Sequence, residues 1–412
     1  MIALANHLPR VRVPWVSIGH WPTPLTPLSL DLEGRDEGQG EGQDDGQGDG
    51  QGDGQDDGRD QTGPAGPAGP TGSPTRSGPR SSRGASTREP VWIKREGDAH
   101  PLYGGNKLRT LEVWFGHAQS LGARRIWAIG AYGSNHAIAT LLHAPSANLE
   151  AAAMVFPQPA SAWAIENAGA IVATGCRVLR LRSVIEVPLA AWRVARRERD
   201  AVVMPPGGAT TIGTFGALSA AFELADQIAA HLAPPPARIV LAVGSTCTTA
   251  GLLAGLALAR AVGVWRWPLP IVHGVRVTPW PVTSRLRTAD LARRTLARIE
   301  QLGGPRVAIG LRELVGRLVI DGRELGRGYG RATPQGEAAI AAFGRATDSP
   351  RLDGVYSAKA AAAVLRLHRE GAGPLVFWAS KSTATLAPPS PDALDRAPAG
   401  LARWLRRHAL TP

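Results

Sequence analysis

The stretch that decides the fold is IVLAVGSTCTTAGLLAGLALARA, residues 239–261. The apolar run at 239–243 is typical of a strand buried on both faces of a parallel sheet, and a helix is predicted over 250–261. Between them lie small and hydroxyl residues, namely Gly244, Ser245, Thr246, Cys247, Thr248 and Thr249. This order forms an anion site, because N–H groups and hydroxyls face the ligand and the helix dipole favours negative charge. No Gly-Lys-Ser ending follows, so a single bound phosphate is favoured over a nucleoside triphosphate.

The segments outside this stretch indicate the same architecture. Short apolar runs at 91–94, 126–129, 152–155 and 177–179 are predicted strands, separated by helical stretches rich in Ala and Leu. Such alternation is typical of parallel sheets covered by helices. The predicted fold class is therefore α/β, and a chain of 412 residues has room for two or three domains of roughly 100–200 residues each.

Residues 32–88 differ from the rest in composition. The first half repeats Gly, Gln and Asp, and the second half is rich in Gly, Pro, Ser and Arg. Such a sequence has few apolar side chains to offset the entropy of folding, so we expect an acidic, disordered insertion. The repeats of Gly and Asp also raise a calcium-solenoid hypothesis, but they lack the large apolar residue that each repeat would need.

Charge and cysteine content exclude several classes of protein. The formal net charge is +12, but Arg is scattered along the chain and no nucleic-acid-binding signature is found, so no specific nucleic acid is expected as a partner. Two cysteines, Cys176 and Cys247, indicate neither a disulfide framework nor a metal site. Without a signal peptide or a long apolar span, we expect a cytoplasmic protein with no membrane partner.

Three further segments carry candidate functional residues. In YGGNKLR, residues 103–109, two glycines precede Lys107, which is either a ligand-facing lysine or an ordinary solvated turn residue. In GAYGSNH, residues 130–136, polar side chains follow a predicted strand, where they either bind a ligand or cap the next helix. Tyr329 and Tyr356 lie in glycine-containing segments and are either core residues or acid–base groups.

Taken in order, these segments resemble the pyridoxal-phosphate-dependent family that contains aminocyclopropanecarboxylate deaminase and D-cysteine desulfhydrase, within the tryptophan synthase β-like fold. The resemblance covers about residues 15–31 and 90–385. It includes PTPL at 22–25, VWIKRE at 91–96 and PGGAT at 206–210. It implies a two-domain, doubly wound pair of parallel sheets with pyridoxal 5′-phosphate in the cleft between them.

The same resemblance implies a role for each candidate residue. Lys107 matches the Schiff-base lysine and Asn106 the partner of the cofactor's ring oxygen. The residues implied to bind the substrate carboxylate and face the reacting carbon are Ser134, Asn135 and His136. Those implied at the catalytic centre and at the pyridine nitrogen are Tyr356, Tyr329 and Ser357. The residues implied to hold the phosphate are Gly244, Ser245, Thr246, Cys247, Thr248 and Thr249.

The implied activity is that of a lyase or deaminase acting on a small amino acid. Elimination like that of D-cysteine desulfhydrase, giving a keto acid and ammonia, is the leading interpretation. Aminocyclopropanecarboxylate deaminase activity and a catalytically impaired cofactor-binding homologue are the alternatives.

Three departures from the family pattern bear on this choice: Thr246 and Cys247 in a loop usually richer in glycine, Ala379 where relatives have histidine, and Ser357 in place of a carboxylate. The serine predicts weaker protonation of the pyridine nitrogen and favours elimination. Relatives are commonly dimers, so a homodimer is implied.

The predicted domain bounds follow from the resemblance and from composition. They are 1–31 for the N-terminal part of a large domain, 32–88 for the insertion, 89–109 for the large-domain segment with the cofactor lysine, 110–210 for a small domain, 211–385 for the large cofactor-binding domain and 386–412 for a tail. Within the tail, residues 400–407 are predicted to form a short basic amphipathic helix packed on the body.

Overall fold

Two sheets carry the fold of the computed structural model, which describes residues 1–30 and 90–409. Within these residues the larger sheet has the spatial order β1 (Leu25–Leu28), β2 (Val91–Arg95), β10 (Leu375–Ala379), β7 (Arg238–Val243), β8 (Ile271–Arg276), β9 (Leu318–Asp321). The smaller sheet, described in the same residues, has the order β5 (Arg177–Arg180), β4 (Glu150–Phe156), β3 (Arg125–Ala131), β6 (Ala201–Val203). All neighbouring strands run parallel except β1 and β2. The predicted α/β class is confirmed.

Helices cover both sheets. Over the described part of the chain they are α1 (Ile2–His7), α2 (Lys107–Ser120), α3 (Asn135–His143), α4 (Ala162–Ala173), α5 (Val187–Arg197), α6 (Thr211–Ala229), α7 (Cys247–Ala261), α8 (Arg285–Gln301), α9 (Leu311–Gly316), α10 (Pro334–Gly344), α11 (Ser357–Arg369), α12 (Pro391–Arg396) and α13 (Ala399–Ala409). The early prolines predict an extended chain for residues 1 to about 30, and this prediction is wrong for residues 2–7, which form a helix. This short segment contains no proline, and Leu4 is buried in the same core as α6.

The core of the larger sheet lies around α6 and α7. Both helices are almost entirely buried, as expected for helices rich in Ala and Leu in a parallel α/β fold. They approach closely at Gly251, where a Cβ atom would lie 2.5 Å from the carbonyl oxygen of Thr214. The carboxyl end of β7 and the first turn of α7 are thereby held in a fixed position.

A buried cluster of charges lies near the start of α2. The Arg109 guanidinium donates to Glu96 at 2.7 and 2.8 Å and to Glu223 at 2.9 and 3.1 Å, and it stacks on the Trp21 ring at 3.8 Å. Lys94 donates to the same Glu223. Burial by itself would raise the pKa of Glu223, but the charges of Arg109 and Lys94 outweigh it and lower that pKa to about 2. The two positive charges of Arg109 and Lys94 thus balance the two negative charges of Glu96 and Glu223 in this buried cluster.

The remaining fold predictions have mixed outcomes. The insertion at 32–88 lies outside the described residues. The smaller sheet is built from residues 125–203 and β1 joins the larger sheet, but the exact domain bounds stay a prediction. The tail helix is present as α13, with Leu401 and Leu405 buried against the body and Trp404 against Tyr132. In the part of the chain that is described, no helix is both long and apolar enough to span a membrane.

Candidate active site

Lys107 is the first residue of α2 and directly follows a glycine turn. The turn is fixed because the Gly105 N–H donates to the carbonyl oxygen of Glu96 at 2.7 Å. Lys107 is half-buried. Burial lowers the pKa of its ammonium, and Cys247 partly opposes this effect. A lowered pKa increases the neutral amine at pH 7, which is the nucleophilic and basic form.

The predicted phosphate loop lies beside Lys107. The first N–H groups of α7 have no partner within the helix and form an anion site at its N-terminus. Cys247 begins this helix, and Thr248 and Thr249 follow in its first turn. The amide nitrogen of Asn106 donates to the Thr248 hydroxyl at 2.9 Å. This hydrogen bond joins the lysine turn to the anion site.

Two threonine hydroxyls fix the first residue of the loop by hydrogen bonds to its main chain. The carbonyl oxygen of Gly244 accepts hydrogen bonds from the hydroxyls of Thr278 at 3.2 Å and Thr283 at 3.1 Å. Thr246 has a φ of 71°, a left-handed conformation that is uncommon for a β-branched residue. The loop therefore adopts a conformation suited to glycine although its sequence is poorer in glycine than expected for the family.

The Ser245 side chain is seated against Gly207, which has a φ of 66°. A Cβ atom at Gly207 would lie 2.3 Å from the Ser245 hydroxyl. We expect Gly207→Ala to displace the loop and weaken binding of pyridoxal phosphate about tenfold or more, which corresponds to about 1.4 kcal/mol. The measurement is an absorbance titration with the cofactor.

Gly175→Ala is the matched control for that substitution. Gly175 has a similar φ of 65°, but a Cβ atom there would meet nothing within 4 Å. Both variants should lose about 1–2 kcal/mol of stability from the left-handed backbone, whereas only Gly207→Ala should weaken cofactor binding. Equal cofactor affinity in the two variants would show that the contact with Ser245 does not shape the loop.

The start of α3 presents the predicted substrate-binding residues. Ser134 caps the helix, with its hydroxyl accepting from the Ala137 N–H at 3.2 Å. The side-chain oxygen of Asn135 accepts from the Tyr103 hydroxyl and from the Asn167 amide, both at 2.8 Å. With its oxygen held in this way, the Asn135 amide nitrogen remains available to donate to a ligand. The capping role and a ligand-binding role are thus compatible.

His136 is buried without a hydrogen-bond partner. It is 2% exposed, and within the described residues neither ring nitrogen has a partner. Burial and, secondly, the charge of Lys107 lower its pKa to about 3, so the ring is neutral at pH 7. Buried polar atoms are normally hydrogen-bonded. An imidazole left unsatisfied beside Lys107 is therefore a strong indication of a ligand at this position.

Tyr329 and Tyr356 meet through their hydroxyls, which lie 2.6 Å apart. A Cβ atom at Gly244 would lie 3.5 Å from the Tyr356 ring, so this pair borders the predicted phosphate loop at residues 244–249, called the anion loop below. Burial raises the pKa of both phenols, and the mutual hydrogen bond opposes this effect on Tyr329 and adds to it on Tyr356. Both are neutral proton donors at pH 7.

Ser357 is hydrogen-bonded to Asp353. Its hydroxyl donates to the Asp353 carboxylate at 2.9 Å and accepts from the Asp353 N–H at 2.6 Å. Ser357, at the position where a carboxylate was expected, is thus itself hydrogen-bonded to the carboxylate of Asp353. The reduced protonation of the pyridine nitrogen, predicted from the serine alone, stays a prediction.

Sequence reasoning missed several residues that complete the site. Tyr103 and Asn167 orient Asn135, while Trp163 and Lys381 lie on the same side of the site. Tyr103 lies in a quoted motif and could have been assigned. Asn167 and Trp163 are on α4 outside any motif, so no local signal identifies them.

Comparison with known proteins identifies the class. The family model for pyridoxal-phosphate-dependent enzymes matches residues 68–379, and the chain therefore belongs to that family. It is 31% identical to nocardicin C-9′ epimerase of Nocardia uniformis subsp. tsuyamanensis over 303 residues, 71% of this chain and 86% of that protein. It is 28% identical to D-cysteine desulfhydrase of Yersinia pestis (strain Pestoides F) over 288 residues, 67% of this chain and 80% of that protein.

A solved structure supports the same fold. The crystal structure of an aminocyclopropanecarboxylate deaminase homologue has a TM-score of 0.64 at 23% identity, and the match covers 93% of this chain and 96% of that one. At this identity the likeness shows the fold alone. The resemblance stated from the sequence motifs is confirmed, and so is pyridoxal phosphate as the family's cofactor.

The site fits this cofactor in its own chemistry. An amine of lowered pKa, a helix N-terminus that can bind an anion and an unsatisfied buried imidazole lie close to one another. These match the aldehyde, the phosphate and the polar ring of pyridoxal phosphate in kind.

Proposed function

We propose that this chain is a pyridoxal-phosphate-dependent lyase that eliminates a β-substituent from a small amino acid, in the manner of a D-cysteine desulfhydrase. The observation that carries the proposal is the link between Asn106 and Thr248, which holds the turn that carries Lys107 against the loop after β7. Lys107 would hold the cofactor covalently and the loop from Gly244 to Thr249 would hold its phosphate. When bound, the cofactor withdraws electrons from the α-carbon of the substrate.

The substrate's α-carboxylate would bind at the start of α3. The N–H groups of the first turn and the Asn135 amide nitrogen supply donors, and the helix dipole adds a favourable charge. His136 is neutral at pH 7, and one nitrogen of its ring would form a hydrogen bond with the ligand. This anchoring orients the α C–H bond toward Lys107.

Lys107 would take the α-proton. With substrate bound, the Lys107 amine would act as the base at the α-carbon, and burial favours its neutral form by lowering its pKa. The same amine can return the proton to a carbon or a leaving group. Water around Lys107 would hydrate its amine and make proton abstraction slower. The burial of His136 next to Lys107 favours exclusion of water.

The tyrosine pair would protonate the leaving group. The Tyr356 hydroxyl would donate its proton to the departing sulfur, and the hydroxyl of Tyr329 would then hydrogen-bond to the phenolate. Departure as a thiol leaves an unsaturated amine, which water hydrolyses to the keto acid and ammonia. A raised pKa keeps Tyr356 protonated until that moment.

The test is product analysis with the cofactor-loaded protein. With D-cysteine we expect stoichiometric pyruvate, ammonia and sulfide, whereas L-cysteine serves as the stereochemical control. Release of 2-oxobutyrate from aminocyclopropanecarboxylate instead would favour the deaminase alternative. Cofactor binding without any keto acid from either substrate would contradict the proposal and favour the impaired homologue.

Epimerisation is a second candidate, because the relative that matches over 86% of its length is named nocardicin C-9′ epimerase. An epimerase needs proton donors on both faces of the α-carbon, and the site offers the Lys107 amine together with the phenols. The distinguishing measurement is turnover of D- and L-alanine in deuterated water. Inversion with α-deuterium incorporation and no keto acid from D-cysteine would replace elimination by epimerisation.

A further inference from the structure

Lys381 follows β10 and lies directly against the turn that carries Lys107. A Cβ atom at Gly97 would lie 2.4 Å from the carbonyl oxygen of Lys381, and one at Gly105 would lie 2.8 Å from that of Ser380. The main chain at this point therefore has little freedom. The Lys381 side chain starts from a fixed position next to the site.

The Lys381 side chain is largely buried, and its ammonium lies near two aromatic rings. The residue is 5% exposed, and its Nζ lies 5.9 Å from the ring centre of Tyr103 and 5.4 Å from that of Trp163. Within residues 1–30 and 90–409 it makes no hydrogen bond or ion pair. Burial lowers its pKa, while the more distant Asp353 and Glu166 oppose this effect. A buried charge normally has a partner, so this one is set up to receive an anion.

The two nearby carboxylates are already engaged. Asp353 accepts hydrogen bonds from the main chain at the start of α11 and from the Ser357 hydroxyl. Glu166 pairs with Arg351 at 3.3 Å. Neither forms an ion pair with Lys381, so its charge remains available to a ligand.

Lys381 is separated from the predicted carboxylate site by the width of one aromatic ring. Its Nζ lies 5.9 Å from the centre of the Tyr103 ring, and the hydroxyl of that same ring donates to Asn135 at the start of α3. A substrate anchored at Asn135 by its α-carboxylate could extend along Tyr103 and Trp163 toward Lys381. The two predicted anion positions are therefore distinct, with the Tyr103 side chain between them.

We propose that Lys381 binds an anionic group at the end of the substrate's side chain, so that the preferred substrates are amino acids with a second carboxylate. This inference rests on the proposed function, because it uses the same amino-acid site. The α-carboxylate has its own donors at α3, which leaves the lysine for the second charge. The flanking rings of Tyr103 and Trp163 would cover the methylene groups between the two.

The test compares isosteric ligands that differ only in charge. Binding of glutamate and glutamine, both enantiomers of each, is measured by titration calorimetry on the cofactor-loaded wild type, Lys381→Met and Lys381→Arg. In the wild type we expect glutamate to bind more tightly than glutamine. In Lys381→Met the ratio of the two affinities should fall about 10- to 100-fold, the range for a charge-assisted hydrogen bond. Lys381→Arg should restore much of the preference.

A turnover measurement extends the comparison to a substrate with a leaving group. S-carboxymethylcysteine and its amide, S-carbamoylmethylcysteine, differ in the same way, and their KM values should follow the same ratio. An unchanged ratio in Lys381→Met, with both ligands weakened equally, would assign Lys381 to the α-carboxylate and overturn the proposal. The proposal would also be overturned if the wild type bound glutamate and glutamine equally, or bound neither of them. Absence of the visible band with pyridoxal phosphate would instead show that the proposed function itself is wrong.

Discussion

Lys107→Ala is expected to remove covalent attachment of pyridoxal phosphate and to lower the elimination rate about 10²- to 10⁴-fold through loss of the general base alone. The amine at the start of α2 has a pKa lowered by burial and lies next to the anion loop. The wild type should show a visible band with the cofactor that borohydride removes, and the variant should bind cofactor without that band.

Peptide mapping after borohydride treatment identifies the lysine that reacts. The chain has four lysines, Lys94, Lys107, Lys359 and Lys381, so each can be followed separately. Lys94 and Lys359 serve as internal controls, because both are held by hydrogen bonds within the body. A cofactor adduct on any lysine other than Lys107 would refute the assignment.

The largest effect on stability is expected for Arg109→Met. The substitution leaves Glu96 and Glu223 buried with only Lys94 to balance them, and loss of one partner from a buried ionic group costs about 3–5 kcal/mol. Equilibrium denaturation with urea measures the free energy of unfolding. Because Arg109 lies two residues after Lys107, cofactor affinity should fall in the same variant.

Arg293→Met is the matched control for Arg109→Met. Arg293 pairs with Asp290 on the exposed surface of α8, with the side chains 49% and 37% exposed. Exposed ion pairs contribute about 0–1 kcal/mol, so this variant should unfold close to the wild type. Equal stability of the two variants would show that the buried cluster contributes no more than a surface pair.

Much of the fold could be predicted because its signals are local. The strand at 239–243, the loop after it and the helix at 250–261 are adjacent in sequence, and the structure has them as β7, the anion loop and α7. The helix at 2–7 was missed because six residues carry little periodicity and its stability comes from packing of Leu4 on distant residues. Long-range packing decides such segments, and the sequence does not display it.

The site divides in the same way. Lys107 and the loop from Gly244 to Thr249 carry recognisable spacing, because a turn or a helix start needs particular residues in order. Trp163 and Lys381 have no such pattern, since their place in the site depends on how α4 and β10 pack against the rest. The closeness of Lys107 to the loop was therefore predictable, whereas the placement of Trp163 and Lys381 required the structure, and the roles of all these residues stay a prediction.

The strand order of the larger sheet has a consequence for how the chain is synthesised. β10 lies between β2 and β7, yet it comes near the end of the chain, long after both of its neighbours. Until residues 375–379 have left the ribosome, β2 and the lysine turn that follows it have no strand through which to join β7 and its anion loop. A nascent chain that stops short of β10 can join the lysine turn to the loop after β7 through the Asn106–Thr248 hydrogen bond and the packing of α2 and α7 on α6, but it lacks the strand that places β2 and β7 in one sheet.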